Sequence, residues 1–440
     1  MVLVLKMNLF YFFIFLILVI GLTFGCSGPS EIEPVDSDIV VRPQEPVLEP
    51  IDSNELPKPI DEELRCSMGA VECTILANND FAFDIYDELK GEDENLFISP
   101  WSITTALAMT YEGAKGNTQV EMAEVLHMVQ PEERLSGFKA IIESINAKQN
   151  DYQLSTANAL WAQKDFNFLE DYFNKVETYY SGKVTNLDFT DETEKSRVTI
   201  NNWVEEKTND KIKNLIPKGV ITPLTRLILT NAVYFKGTWV LEFDKKKTYT
   251  DKFDTGNGQV DVDMMVRTDK DAKYYYFEDS NVQVIEMPYK GERLSMYAVL
   301  FKNENADHKF NAFELNKWQE QMNKKRVKLY FPKFKFEEKY SLPSVFQNLG
   351  MNDAFGGSAD FSGINGDKNL MITDIIHQSF IDVNEEGTEA AAATAVVVGI
   401  KSAGPDKTPV FRANRPFEFI IQDQVTGSIL FMGKVINPSG

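Results

Sequence analysis

Few residues of this 440-residue chain could do chemistry, and their spacing excludes most reactions. The three His, His127, His308 and His377, are scattered with no HExxH pair, so zinc hydrolysis lacks its ligands and no metal site is expected. Cys26 follows an apolar run, and Cys66 and Cys73 stand seven apart, which fits neither a disulfide-rich scaffold nor a Cys-clustered zinc site. No glycine-rich phosphate loop is present, so no cofactor is expected. His377 could act as the base of a secreted hydrolase, but no GxSxG elbow accompanies it. With 45 Lys and Arg against 66 Asp and Glu, the net charge of -21 repels phosphate backbones and argues against nucleic acid as a partner.

One stretch stands out, EEGTEAAAATAVVVGIKS at residues 385–402. Four successive Ala favour helix while Val396 to Val398 favour strand, and such a conflict often marks a functional segment. Read with period two, Thr388, Ala390, Ala392, Thr394, Val396 and Val398 share one small, uncharged face, opposite Glu389, Ala391, Ala393, Ala395 and Val397. That is a strand able to enter a crowded sheet with one face buried and its charge outward. Gly387 just before it supplies backbone freedom for a hinge. From these residues alone, an Ala-rich surface helix or an ordinary loop stands as an equal alternative.

The elements that must position this stretch read as mixed helix and sheet. Phe81, Ile85 and Leu89 form an apolar stripe that Gly91 terminates, Ser99 before Pro100 starts a helix that Gly113 stops, and a further helix covers about residues 194–209. Strands dominate later: RLILTNAVYF, SMYAVLF, RVKLYFPKFKF, FEFIIQDQ and SILFMGKVI are β-branched and aromatic. Helices first and strands later predict an α+β fold rather than a doubly wound one. Length alone suggests two or three domains.

The N-terminal segment lies outside this pattern. An apolar run at residues 8–24, preceded by Lys6 and followed by Gly25 and Cys26, has the parts of an export signal over residues 1–25. The context LTFGC resembles a bacterial or archaeal lipobox, in which Cys26 would carry a lipid after cleavage. Leu22 sits one place early for that pattern and Phe24 is large for its position. Ordinary secretion and an uncleaved membrane helix are the other outcomes, and all three place the rest of the chain outside the cytoplasm, in the envelope or extracellular. Residues 27–60 hold seven Pro and eight Asp or Glu against Arg42 and Lys58, which predicts a disordered tether over 26–65 reaching up to about 100 Å. A helix would set Cys66 and Cys73 about 10.5 Å apart, too far for a disulfide, so they pair only if the segment between them is a loop. Export favours that pair over two core thiols.

The stretch Glu385, Glu386, Gly387, Thr388, Glu389, Ala390, Ala391, Ala392 and Ala393, continuing to Thr394, resembles the hinge of the serpins, inhibitors of serine and sometimes cysteine proteases. The segments NLFISPWSITTALAMTYEGAKGNT, LTNAVYFKGTW, LYFPKFKF, LGMNDAFGGSADFSGI and FRANRPFEFIIQDQVTGSILFMGKVINP are similar to serpin segments in serpin order, so the resemblance covers roughly residues 70–438. Glu418 departs from the family pattern, which has an apolar residue there, while Phe417, Phe419 and Ile421 keep one strand face apolar.

The resemblance implies a single domain over residues 66–440, with three β-sheets, eight or nine helices and an exposed reactive-centre loop at about 385–410. It also implies a suicide-substrate mechanism: a protease cleaves the loop, forms an acyl-enzyme, and is carried away distorted as the loop inserts into the central sheet. The chain itself would not be an enzyme, and it would act as a monomer. Counting Glu385 as seventeenth from the scissile bond places the cut at Lys401-Ser402, with Ile400 or Ser402 as neighbouring possibilities. A cation before the cut suits a trypsin-like serine protease, whose specificity pocket holds a carboxylate. The resemblance further assigns Ser99, Ser102, Asn231 and His377 to a polar cluster controlling sheet opening, and Lys333, Glu385 and Trp239 to the top of the sheet. A non-inhibitory binding protein of the same fold is the alternative; small residues at 388, 390, 392 and 394 favour insertion.

Overall fold

A computed structural model describes residues 69–91, 94–147, 151–165, 167–303, 310–388 and 406–439. The described residues all belong to one unit, Pro59–Gly440. Among them are nine α-helices: α1 (Ala70–Leu89), α2 (Pro100–Tyr111), α3 (Gly116–Val125), α4 (Pro131–Asn146), α5 (Glu170–Tyr180), α6 (Thr193–Lys207), α7 (Ala312–Gln321), α8 (Pro343–Asn348) and α9 (Ser362–Asn365). The strands, in chain order, are β1 (Leu96–Ile98), β2 (Tyr152–Gln163), β3 (Lys183–Leu187), β4 (Leu227–Thr238), β5 (Tyr249–Asp254), β6 (Gln259–Arg267), β7 (Lys273–Glu278), β8 (Val282–Pro288), β9 (Leu294–Phe301), β10 (Asn323–Arg326), β11 (Lys328–Pro332), β12 (Phe334–Ser341), β13 (Asp374–Val383), β14 (Gly387–Thr388), β15 (Val410–Arg412), β16 (Phe417–Asp423) and β17 (Ile429–Val435).

They form three sheets: β1-β17-β16-β9-β8-β7-β10, β15-β11-β6-β5, and a central β12-β13-β14-β4-β2-β3 in which β13 also pairs with β4. The α+β expectation holds. The helix expected at 194–209 spans Thr193–Lys207, and Ser99 caps α2 through its hydroxyl with Pro100 in the first turn.

Alternation along the central strands sorts side chains between two cores. Ala157, Ala159, Trp161, Ile228, Ala232 and Ile376 face Ile200 and Val204 of α6, in one apolar cluster. Leu160, Ala162, Leu227, Leu229, Val233, Ile375 and Ile381 belong to the main core, where α2 is buried along its whole length against β2, β4 and β17. The small Ala side chains on the α6 side let the helix lie close to the sheet. The same alternation turns Asn158, Asn231 and His377 toward α2, among apolar neighbours, where polar groups must find partners.

Candidate functional site

The central sheet has an unusual seam. Over residues 374–380 and 228–234, β13 and β4 pair in parallel, from Asp374 opposite Ile228 to Phe380 opposite Tyr234. Above them the chain turns at Asn384, whose N–H donates to the Gly387 carbonyl at 2.8 Å, and β14 enters between the two strands. Thr388 pairs antiparallel with both Val383 of β13 and Gly237 of β4. The sheet is thus wedged open at one end by Gly387 and Thr388 and closed below them.

Each residue of the wedge is held. A Cβ on Gly387 would stand 2.0 Å from the Gly237 carbonyl oxygen and 2.6 Å from Thr238 Cα, so only glycine lets the backbones approach this closely. Thr388 is 1% exposed and its hydroxyl lies 2.9 Å from the Tyr289 hydroxyl, and the Tyr289 ring stacks on Trp239 at 4.4 Å. The Trp239 indole N–H donates to the Asn384 carbonyl at 3.1 Å, and its backbone N–H to the Glu386 carbonyl at 2.8 Å.

Glu385 is not the exposed loop residue the sequence suggested: it is 4% exposed. Its carboxylate accepts from the Thr248 hydroxyl at 2.8 Å and lies 3.5 Å from Lys333 Nζ. Burial alone would raise the Glu385 pKa, but its own backbone N–H, Thr248 and Lys333 together hold it below the ordinary carboxylate value. Glu386, equally buried, pairs with Lys245. Two adjacent acids that look solvated in the sequence are therefore neutralised by cations from other elements. At the other end of the loop, Val410 begins β15, parallel to β11. Upstream of β15, Asp406 pairs with Lys328 at 2.8 Å.

Midway down the seam the polar cluster assembles. His377, Asn231 and Asn158 are register partners across β13, β4 and β2. His377 Nε2 accepts from the Ser99 N–H at 3.1 Å, so its proton sits on Nδ1, which donates to Asn231 Oδ1. Asn231 Nδ2 donates to Ser102 Oγ at 2.6 Å and to Asn158 Oδ1 at 2.8 Å, and Ser102 Oγ donates to the same Asn158 oxygen at 2.8 Å. The Ser99 hydroxyl donates to the Leu430 carbonyl at 2.7 Å. Complete burial lowers the His377 pKa from 6.5 to about 3, so the imidazole is neutral. With both ring nitrogens occupied and no serine hydroxyl on either, it is a structural group rather than a general base.

Sequence reasoning placed Ser99, Ser102, Asn231, His377, Lys333, Glu385 and Trp239, and the structure brings them into these two clusters. It missed Asn158, Thr248, Lys245 and Tyr289. Asn158 alone left a signal, a polar residue at an inward position of an otherwise apolar strand run. Residues Glu389, Ala390, Ala391, Ala392, Ala393 and Thr394, the bond Lys401-Ser402, and Cys26 lie outside the described residues. So does Cys66; Cys73 is buried in α1. Among the described residues no group of three acidic, His or Cys side chains could hold a metal, and no helix is long and apolar enough to cross a membrane.

A family model described as Serpin (serine protease inhibitor) matches residues 76–438. An uncharacterized serpin-like protein of Methanosarcina acetivorans is 46% identical over 374 residues, covering 82% of this chain and 87% of its own. Human thyroxine-binding globulin superposes with a TM-score of 0.76 at 31% identity over 84% of this chain and 100% of its own. Uncleaved ovalbumin gives a TM-score of 0.75 at 30% identity over 83% and 100%. A three-sheet fold whose central sheet holds Gly387 and Thr388 between β13 and β4, together with the match over nearly all of the described chain, means that this protein belongs to the serpin family.

Proposed function

We propose that this chain is an inhibitory serpin that traps trypsin-like serine proteases after cleavage at Lys401-Ser402. The observation that carries the reading is the seam. Thr388 already forms antiparallel pairs on both sides, and a strand continuing from it would replace one parallel ladder by two antiparallel ones. Antiparallel pairing is slightly the more stable per residue and twice as many ladders form, so completing the strand is downhill. The native form is held by kinetics, with the His377 cluster and the still-uncut loop as its barriers. The small residues from Ala390 to Thr394 are the ones that would follow Thr388 into the sheet. Export, with a lipid on Cys26 tethering a monomeric inhibitor outside the cytoplasm, completes the proposal.

Incubation with a panel of trypsin-like and subtilisin-like proteases, followed by denaturing electrophoresis, tests it. A complex that survives denaturant is expected with a trypsin-like enzyme. The small fragment released by trypsin should begin at Ser402; another start would move the reactive bond. Cleavage without any complex would favour the second reading, a serpin-fold binding protein, a use of the fold that the name thyroxine-binding globulin attests for that relative.

A further inference from the structure

Two Asn-Gly pairs occur in the sequence, Asn257-Gly258 and Asn365-Gly366. Asn is a chemically labile residue, and a glycine after it leaves the next backbone nitrogen unshielded beside the side-chain amide. The fold treats the two pairs oppositely. Asn365 ends α9, and there each reacting group is engaged. The Gly366 N–H donates to the Ser362 carbonyl at 2.8 Å, Asn365 Nδ2 donates to Asn369 Oδ1 at 2.9 Å, and Asn365 Oδ1 accepts from the Asp367 N–H at 3.1 Å. Asn257 instead stands exposed at the tip of the β5–β6 hairpin. The last ladder pair there is Asp254 with Gln259, and the Gly258 carbonyl accepts from the Thr255 N–H at 2.8 Å and the Thr255 hydroxyl at 2.9 Å. Among the described residues nothing accepts from the Gly258 N–H. A Cβ on Gly256 or Gly258 would meet nothing within 4 Å, so the tip has room to move.

We propose that Asn257 is a site of spontaneous deamidation, and that the carboxylate so formed loosens the hairpin's hold on the segment after β15. The Gly258 nitrogen attacks Asn257 Cγ, its proton leaves with the side-chain nitrogen as ammonia, and a five-membered succinimide closes. Water then adds to one of the two ring carbonyls and opens the ring. The product is Asp, or isoaspartate where the backbone now runs through the side chain. The hold it affects is one hydrogen bond: the Asp254 N–H donates to the Asn414 carbonyl at 2.9 Å, just beyond the end of β15 at Arg412. Asp254 also shapes the tip, its carboxylate accepting from the Gly256 N–H at 3.0 Å. A new carboxylate at position 257 repels that of Asp254 and works against this turn. The same residue then keeps its bond to Asn414 for less of the time.

Incubation of the full chain in warm, mildly alkaline buffer made with heavy-oxygen water, followed by peptide mass spectrometry, tests the site. Asn257 should convert at least about tenfold faster than Asn365, with solvent oxygen incorporated at the new acid. Equal rates at the two positions, or no conversion at Asn257, overturn the site. The loosening is read by hydrogen exchange of the Asp254 amide in Asn257→Asp, which carries the charge without the rerouted backbone. Exchange about threefold faster than in the wild type is expected, and unchanged exchange overturns the loosening. Neither measurement involves a protease, so failure to inhibit would overturn the proposed function and leave this inference standing.

Discussion

His377 of β13 and Asn231 of β4 face each other directly across the seam that an inserting strand must part, and the imidazole Nδ1–H donates to the Asn231 side-chain oxygen between them. A strand entering there separates these two residues before it gains its own pairing below them. In the proposed insertion, their hydrogen bond and those through Ser102 and Asn158 would therefore belong to the barrier rather than to the final state.

The neutral His377 makes that barrier sensitive to acid. Its pKa is lowered to about 3 in the closed sheet, whereas solvated in an opened one it would return to about 6.5. Between these values the open state binds one more proton. The closed state therefore keeps its full advantage above about pH 6.5 and loses about 1.4 kcal/mol for each unit of acidification below it, until about pH 3. Exchange of the seam amides should accelerate progressively from pH 6.5 to pH 4.5, beyond the intrinsic pH effect on exchange chemistry. In His377→Gln the excess should vanish; an unchanged acid response in that variant would remove His377 from the account.

Gly387→Ala tests the wedge. A methyl group 2.0 Å from the Gly237 carbonyl oxygen cannot be accommodated without parting β14 from β4, at a cost of roughly 1–3 kcal/mol. The Trp239 and Phe243 N–H groups, which donate to the Glu386 and Glu385 carbonyls, should then exchange faster while the amides of β16 and β17 do not.

Glu385→Lys should promote association through the sheet. The substitution puts an ammonium 4% exposed beside Lys333 and deprives the Thr248 hydroxyl of its acceptor, so the top of the sheet loosens where insertion begins. Size-exclusion chromatography after mild warming should show oligomers that the wild type does not form; persistent monomers would count against this role of the pair.

How much of this could be read beforehand differs from residue to residue. Gly387 and Thr388 were legible through the resemblance to the serpin hinge, since the Ala-rich run by itself left a surface helix or an ordinary loop as an equal alternative. The strand runs around Asn231 and Phe419 were legible because β-branched and aromatic residues crowd together there. The burial of Glu385 and Glu386 was not, since it depends on Lys333, Thr248 and Lys245, all distant in sequence, and a Lys-rich turn at 245–247 reads as solvated surface. Nor was the parallel seam: β4 and β13 are separated by more than a hundred residues, and nothing in either strand specifies its partner.

Thr388→Arg separates insertion from cleavage. Thr388 is buried against Tyr289, and a guanidinium there would have to enter an apolar layer. Cleavage at Lys401 by trypsin should proceed at a rate within about threefold of wild type, because the bond is thirteen residues along the chain from Thr388, but the denaturant-stable complex should disappear. Retention of the complex would show that strand completion does not need this face to be small.

Glu418 gives the one departure from the family pattern a measurable cost. Its Oε2 is sealed from solvent in β16, and burial, offset in part by Tyr86, Lys434 and Lys90 and reinforced by Asp87, raises its pKa to about 7. The folded chain thus binds a proton that the unfolded chain releases above about pH 4.5, so Glu418 lowers stability as pH rises from about 4.5 to 7. His377 acts with the opposite sign below 6.5, and on global unfolding the two slopes offset between about pH 4.5 and 6.5. Glu418→Leu should remove one of them. We expect it to raise stability at pH 8 by roughly 1–3 kcal/mol in chemical unfolding, with little change at pH 4.5, and to leave the thermal midpoint climbing with pH across the window where the wild type is nearly flat. A variant no more stable than wild type at pH 8 would show that the carboxylate is solvated in the folded chain.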